Sequence, residues 1–433
     1  MMAIQPLEPP PLIARRSDDE LGIVRMTRDY ALITPLFGGG AEKQQADAVT
    51  VVRGSEVRAH LRFWWRAVRG GAYGGDLARM KAREDEIWGA PANTSGRQPS
   101  DDAAKPKPPP TVQLALTVTD RGKKLDVIGR SGKNKGREVH VGAPDSPYGY
   151  VAFPLYQTDK NSFVLTGVKF TLTLTCATEH VKEVEAALWG WETFGGIGAR
   201  TRRGFGALTC TNVAGARPPS PEAVEEWIFA QATSHGAKGK WHDDVPHPLY
   251  GQIRKVPEPF DDAMTAWEHL IAKLREFRQY RVDKETGKRS PYGRSVWPEP
   301  REIRRLVALP RKQQDAPTNA RFPRAAFGLP IIFQFKGEAI KQVTLNPSSH
   351  DRLASPLILK PLQCANGKSV ALAVLLKTPA LPLKTPALPP GDHLELDGHH
   401  VSAALSLADA AAIAPLNKNQ DVLAAFLAWL VKK

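Results

Sequence analysis

The sequence is poor in cysteine and has no long hydrophobic run. Its three cysteines, Cys176, Cys210 and Cys364, lie far apart, so they form neither a disulfide framework nor a zinc-binding pattern. No apolar stretch approaches the ~18 residues that a membrane-spanning helix needs. Residues 1–20 lack the charged and then apolar plan of a signal peptide. We therefore expect a cytoplasmic protein with no membrane partner, no metal and no cofactor.

Acidic residues are also scarce relative to basic ones. The 433 residues contain 59 Lys and Arg against 45 Asp and Glu, which gives a formal net charge of +14. Such an excess favours an anionic partner, with nucleic acid ahead of a membrane surface, although ordinary surface charge explains it about as well. The length exceeds that of one usual hydrophobic core, so we expect two domains.

The hydrophobic patterns predict an α+β protein. In the first half they predict four strands and two main helices: strands near 23–37, 111–119, 163–175 and 205–212, and helices near 55–70 and 179–192. Their β-α-β-β-α-β order is typical of ferredoxin-like domains and of the RNA-recognition module.

The predicted division of the chain follows its proline-rich and polar segments. It comprises a loose N-terminal arm at 1–22, a first ferredoxin-like domain at 23–213 and a second, with helical additions, at 214–433. Insertions are predicted at 91–110 and 121–150, and residues 121–140 are markedly basic. A tandem KTPALP duplication at 377–390 predicts an extended surface segment.

One predicted helix has two different faces. On one side, at ~100° per residue, it carries a stripe that we expect to be buried: Val57, Leu61, Trp64 and Val68. Four arginines follow the neighbouring side: Arg58, Arg62, Arg66 and Arg69. No acidic residue alternates with them. Three interpretations remain open. RNA phosphates, which guanidinium groups bind well, compensate these charges; carboxylates from other parts of the fold compensate them; or the arginine face is exposed to solvent. Arg53 and the predicted N-cap Ser55 place a further anion site at the helix start.

Two glycine-rich turns accompany this helix. Glycine permits positive φ angles, so that consecutive amides can face an anion. The predicted RNA-contacting residues of these turns are Gly38, Gly39, Gly40, Gly195, Gly196, Gly198, Arg200, Arg202 and Arg203. The second turn follows a helix and has no Gly-Lys-Ser/Thr ending, which excludes a dinucleotide fingerprint and a Walker loop.

Basic residues are also frequent between Arg275 and Arg305 in the second half. Arg301, Arg304 and Arg305 occur there at helical spacing, and we predict that they contact RNA. Tyr280, Tyr292 and Trp297 lie among these charges. They either stack on bases or anchor the fold.

These segments resemble the RAMP superfamily of CRISPR proteins, and within it the first-numbered RAMP subunit of the type III-B (Cmr) RNA-targeting complex. The resemblance is carried by ITPLFGGG (33–40), RGSEVRAHLRFWWRA (53–67), FGGIGARTRRGFGAL (194–208), WPEPREIRR (297–305), FPRAAFGLPIIF (322–333) and RLASPLILKP (352–361). It implies two ferredoxin-like RAMP folds and a non-catalytic, RNA-binding role near the 3′ end of the guide RNA. The implied partners are guide CRISPR RNA, target RNA and other RAMP subunits.

The alternative is a RAMP endoribonuclease that cleaves or processes RNA by itself. Related subunits cleave with a loop aspartate, and Asp47 lies in the comparable loop here; related nucleases use a histidine, and His60 is a candidate. A single carboxylate without a visible partner is weak support, and His60 is expected to be a packed core residue. The clusters at His242–His247 and His393–His400 lack the spacing of a metal or HD-type site.

Overall fold

The computed structural model describes residues 18, 22–40, 45–47, 49–90, 112–129, 138–158, 162–308, 319–335, 340, 342–348, 350–378 and 394–432. Nearly all of the predicted arm at 1–22 lies outside these residues. So do the predicted insertion at 91–110, the middle of the basic insertion at 121–140 and most of the duplication at 377–390.

The first half contains a four-stranded antiparallel sheet. Its elements are β1 (Ile23–Leu32), α1 (Gly54–Arg69), α2 (Leu77–Trp88), β2 (Gln113–Asp120), β3 (Lys123–Leu125), β4 (Val127–Gly129), β5 (Glu138–His140), α3 (Gly149–Thr158), β6 (Val164–Thr166), β7 (Lys169–Ala177), α4 (Val181–Phe194) and β8 (Leu208–Cys210). The strand order is β2-β7-β1-β8, and α1 packs against α4. The elements β1, α1, β2, β7, α4 and β8 therefore have the predicted β-α-β-β-α-β connectivity.

Side-chain periodicity explains this sheet. Alternate residues of β7 are buried, namely Phe170, Leu172, Leu174 and Cys176, because side chains point to opposite faces of a strand. The apolar stripe predicted for α1 is buried as well. The predicted insertion at 121–150 is not one continuous loop, since it contains β3, β4, β5 and the start of α3.

The second half has a different arrangement. Its elements are α5 (Val224–Ser234), β9 (His247–Pro248), β10 (Arg254–Lys255), α6 (Ala263–Arg278), β11 (Arg281–Val282), β12 (Arg294–Ser295), α7 (Glu299–Val307), β13 (Ile331–Phe333), β14 (Val343–Pro347), β15 (Leu357–Gln363), β16 (Ser369–Lys377), β17 (Leu394–Leu396), β18 (His399–Val401), α8 (Leu407–Ala412) and α9 (Val422–Leu430).

These strands form two sheets and a hairpin. One sheet has the order β10-β16-β15, with β9 also on β16; the other has the order β13-β14-β17-β18; and β11 pairs with β12. Among the described residues of this half, no single sheet repeats the predicted β-α-β-β-α-β order. The β13–β18 sheet instead closes its own core around Ile303 and Phe322.

The β15–β16 hairpin joins the two halves. Val370, Leu372, Val374 and Leu376 pack into the core of the first half, whereas Ala371, Ala373 and Leu375 pack beneath α6. Both faces of β16 are therefore covered, which explains its continuous apolar sequence. Lys360 of β15 is buried on the first-half face, where its Nζ donates to the backbone oxygen of Glu192. Burial lowers the pKa of Lys360 to about 7.

Candidate nucleic-acid interface

Three of the four arginines on α1 are paired with carboxylates. Arg62 donates from Nε to Oε1 of Glu84 at 2.8 Å, and Arg66 binds the same carboxylate, whose side chain is only 2% exposed. Arg69 donates to both oxygens of Glu183 at 2.7 and 2.9 Å. Of the alternatives that the sequence left open, pairing within the fold is the one observed. The charge argument for phosphate binding by these residues is therefore lost.

The start of α1 also differs from its prediction. The helix begins at Gly54 with Arg53 as N-cap, and Ser55 is exposed in the first turn without capping it. Arg58 donates to the backbone oxygens of Trp88 and Val112, both at 3.2 Å. Its contacts anchor α1 to the end of α2 and the start of β2.

The two glycine turns, which were predicted to contact RNA, pack against each other. A Cβ on Gly39 would lie 3.3 Å from the Cα of Gly198, and φ is +98° and +83° at these two positions. The Gly198 amide donates to Glu56 Oε1 at 2.6 Å, and the Ala199 amide donates to the Phe37 oxygen. These amides are occupied by the protein itself, so the predicted anion-binding nest is filled.

Several glycines of these turns are required by close packing. A Cβ on Gly40 would lie 2.7 Å from the Gln45 backbone oxygen. A Cβ on Gly195 would lie 2.5 Å from Trp191 Cδ1 and 2.6 Å from Trp64 Nε1, and one on Gly196 would lie 2.9 Å from the Gly206 oxygen. The glycines at 38–40 and 195–198 thus let the turns approach neighbouring chain segments.

The arginines that follow in the second turn have no carboxylate partner among the described residues. Arg200 donates to the Val151 oxygen at 3.1 Å, Arg202 to the Ser355 oxygen, and Arg203 to the oxygens of Leu357 and Phe327 at 3.1 and 2.9 Å. Backbone carbonyls satisfy these donors but do not cancel their charge. Burial, aided by the like charge of Arg278, lowers the pKa of Arg203 to about 9. Burial and Arg352 lower the pKa of Arg200 to about 10.

Arg200 and Arg203 line a cavity of about 860 Å³ between the two halves. Three further arginines line it, namely Arg275 and Arg278 of α6 and Arg352 ahead of β15. Arg278 lies over the rings of Phe327 and Tyr150, at 5.2 and 5.8 Å from their centroids. Its Nε has no hydrogen-bond partner among the described residues. Guanidinium groups beside aromatic rings are typical of sites for single-stranded nucleic acid.

A second cavity of about 1130 Å³ continues from the first, because Gln279, Ile332 and Gln334 line both. It is lined by five more arginines: Arg281, Arg294, Arg301, Arg304 and Arg324. No aspartate or glutamate is among the described residues that line either cavity. We call the joined cavities the arginine cleft.

The predicted arginines of α7 contribute unequally to this cleft. Arg301 and Arg304 line it, although Arg301 also pairs with Glu302 at 3.1 Å. Arg305 pairs with Glu302 at 2.9 Å and does not line the cleft as described. Of the aromatic residues nearby, Trp297 is buried as a packing anchor, whereas Tyr292 is 96% exposed.

The candidate catalytic residues do not assemble into a site. Oδ1 of Asp47 accepts hydrogen bonds from the amides of Val49 and Thr50 and from the Thr50 hydroxyl, and those from Thr50 lower the pKa of this carboxyl. The carboxylate thus closes its own turn. Nε2 of His60 lies 3.6 Å from Glu56 Oε1 and faces a small cavity, so His60 is half-buried rather than enclosed in the core.

Among the described residues, no three potential metal ligands of either histidine cluster lie close together. Asp243 pairs with Lys377, and His247 stacks on Trp241. In the described part of the chain, one group of three potential ligands is close together: Glu86, Glu179 and His180. Arg83 lies 3.2 Å from Nδ1 of His180. Because arginine only donates, Nδ1 accepts and the neutral ring carries its proton on Nε2, which then cannot bind a metal.

Sequence reasoning missed Arg275, Arg278 and Arg352 as site residues. Arg275 and Arg278 share one face of the last turn of α6 at i, i+3 spacing, and Arg352 begins the RLASPLILKP segment. The basic excess after residue 275 was a signal for the first two. Their convergence with Arg200 and Arg203 depends on how the halves pack.

Comparisons with known proteins agree with the resemblance. The RAMP superfamily model matches residues 29–209. The CRISPR system Cmr subunit Cmr1-2 of Pyrococcus furiosus is 26% identical over 186 residues, which are 42% of this chain and 91% of that protein. The crystal structure of Cmr1 from P. furiosus in its apo form has 13% identity and a TM-score of 0.48, and the match covers 90% of this chain and 96% of that one.

A similar match is to a chain of the type III-B Cmr-beta complex bound to cognate target RNA, at 11% identity and a TM-score of 0.46. It covers 94% of this chain and all of that one. None of the helices in the described part is long and apolar enough to span a membrane.

Proposed function

We propose that this chain is a non-catalytic RNA-binding subunit of a type III-B CRISPR effector complex, and the match of residues 29–209 to the RAMP superfamily model supports this. Its partners are guide CRISPR RNA, target RNA and other RAMP subunits. Its place is near the 3′ end of the guide RNA, where it helps to capture target RNA. The relative Cmr1-2 is itself named as a Cmr subunit, which supports this assignment.

The arginine cleft is the observation that carries RNA binding. Ten arginines line a groove without a lining aspartate or glutamate among the described residues; two of them, Arg301 and Arg324, pair with Glu302 and Glu299, which do not line it. Phosphate oxygens are the natural counter-charges, since guanidinium binds them through two parallel hydrogen bonds. The groove lies between the proposed RAMP units at 23–213 and 214–433, so that both contribute arginines.

A charge-matched pair of variants tests the cleft. The first replaces Arg275, Arg278 and Arg352 with glutamine; the second replaces Arg25, Arg79 and Arg254, which line neither cavity. Both lose three positive charges. Binding of labelled single-stranded RNA is measured by fluorescence anisotropy. We expect the cleft variant to bind at least about 10-fold more weakly, because one hydrogen bond to a charged group contributes about 1.5 kcal/mol or more. Equal weakening of both variants would mean that general charge, and not the cleft, binds RNA.

A cleavage assay distinguishes RNA binding from RNA cleavage. When the wild-type protein is incubated with labelled RNA, with and without Mg²⁺, we expect the RNA to remain intact. Cleavage that is abolished by Asp47→Ala or His60→Ala would instead establish the endoribonuclease alternative.

A further inference from the structure

A small cavity lies on the opposite side of the turn that carries Arg200 and Arg203. Its volume is about 240 Å³, and it is enclosed by α1, the end of α4 and the β15–β16 hairpin. We call it the aromatic pocket. Its base is formed by buried apolar side chains: Trp64, Phe194, Ile358 and Leu376. Its half-buried walls are His60, Phe63, Thr201 and Arg202.

The chemistry of these walls suits one flat, polar-edged ring. Phe63 and Trp64 meet edge to face with their centroids 5.1 Å apart, and His60 lies nearly parallel to Trp191. The Arg202 guanidinium donates to the Ser355 oxygen and has no ion-pair partner among the described residues. Unstacked RNA bases are held between such aromatic or histidine rings and arginine planes. The volume is too small for a strand but is sufficient for a single base.

A single turn, Arg200–Arg203, separates the aromatic pocket from the arginine cleft. Thr201 and Arg202 line the pocket, whereas Arg200 and Arg203, on either side of them in the chain, line the cleft. Ser355 also lines the cleft, and its backbone oxygen receives the Arg202 hydrogen bond. In a nucleotide the base and the phosphate lie on different sides of the sugar. A strand that crosses this turn therefore places its phosphate toward Arg200 and Arg203 and its base toward Arg202.

We propose that the aromatic pocket receives one nucleobase, turned out of the RNA strand whose backbone lies in the arginine cleft. This inference rests on the proposed RNA-binding function. Stacking against Phe63 and His60 provides most of the interaction and tolerates different bases. The hydroxyl group of Thr201, which lines the pocket, can hydrogen-bond the base edge.

An abasic scan tests the proposal. A short single-stranded RNA carries one abasic nucleotide, which is moved along the strand, and its binding is compared for the wild type and for Phe63→Leu. Leucine fills much of the space of Phe63 but has no aromatic face. Phe229→Leu is the matched control, because Phe229 is 70% exposed on α5 and lines none of the three cavities.

We expect one abasic position to weaken binding to the wild type and to the Phe229→Leu control by about 5-fold or more, the effect of one lost stacking interaction. Phe63→Leu should bind this RNA and the intact RNA equally well. Phe63 also touches the core. If Phe63→Leu does not fold, as judged from its unfolding curve, His60→Ala carries the same comparison.

Two results would overturn the proposal, and they differ in what else they overturn. If the wild type binds intact and abasic RNAs alike at every position, the pocket holds no base, while backbone binding in the cleft stands. If the wild type binds no single-stranded RNA, the proposed function fails as well.

Discussion

Arg62 and Arg66 of α1 pair with Glu84, so we predict that these two arginines stabilise the fold and do not bind RNA. In the double variant Arg62→Gln/Arg66→Gln, the carboxylate of Glu84 loses both of its cations. That carboxylate is buried, and an uncompensated buried charge costs about 3–5 kcal/mol of unfolding free energy. Arg66→Gln alone leaves the Arg62 hydrogen bond in place, so we expect a loss of about 1.5–3 kcal/mol.

A compensating substitution sharpens this prediction. Adding Glu84→Gln to the double variant removes the stranded charge, so most of the lost stability should return, because neutral partners of similar shape replace the whole ionic group. Urea unfolding, followed by tryptophan fluorescence, gives the unfolding free energy of the wild type, Arg66→Gln, the double variant and the triple variant. Arg275→Gln/Arg352→Gln is the control, since neither residue has a carboxylate partner in the described part of the chain; its midpoint should match that of the wild type.

The opposite pattern would refute the reasoning. If Arg62→Gln/Arg66→Gln unfolds at the wild-type midpoint and binds RNA more weakly, the stripe on α1 binds phosphate, as the sequence alone suggested. If the triple variant recovers no stability, the loss arises from contacts other than those with Glu84.

Three further predictions follow from the same structure. The logarithm of the RNA affinity should fall linearly with the logarithm of the salt concentration. Arg275→Gln/Arg352→Gln should make this slope shallower by about 1.4, or ~0.7 per lost phosphate contact. An unchanged slope would mean that neither residue contacts RNA phosphate. Tripolyphosphate should raise the melting temperature more than sodium chloride of equal ionic strength, because it supplies the counter-charge that Arg200 and Arg203 lack, and Arg200→Met/Arg203→Met should abolish the difference. Burial holds the pKa of Lys360 at about 7, below its value in the unfolded chain. Between these two pKa values the folded protein binds fewer protons than the unfolded protein does. The destabilisation caused by Lys360 therefore decreases as the pH rises from about 7 to 9. The unfolding free energy of the wild type, measured in urea, should therefore rise relative to that of Lys360→Met across this range, and parallel pH profiles would contradict this.

The amino-acid sequence by itself determined the elements that depend on local periodicity. The alternation in β7 and the apolar stripe of α1 each involve residues a few positions apart, so the β-α-β-β-α-β order of the first half was predicted correctly. The basic excess also indicated an anionic partner. The glycines of the two turns were predicted to face an anion; that Gly39 and Gly198 approach each other was not predicted.

Only the tertiary structure decided which charges are compensated. Arg62 meets Glu84 across 22 positions, and Arg69 meets Glu183 across 114; no local pattern encodes either distance. The same packing brings Arg203, Arg278 and Arg352 to one cavity without a described carboxylate partner, although they come from three distant segments. Electrostatic compensation depends on neighbours in space. For this reason three arginines that looked free on α1 are paired, and Arg275, Arg278 and Arg352, which the sequence did not single out, line the cleft beside the predicted Arg200 and Arg203.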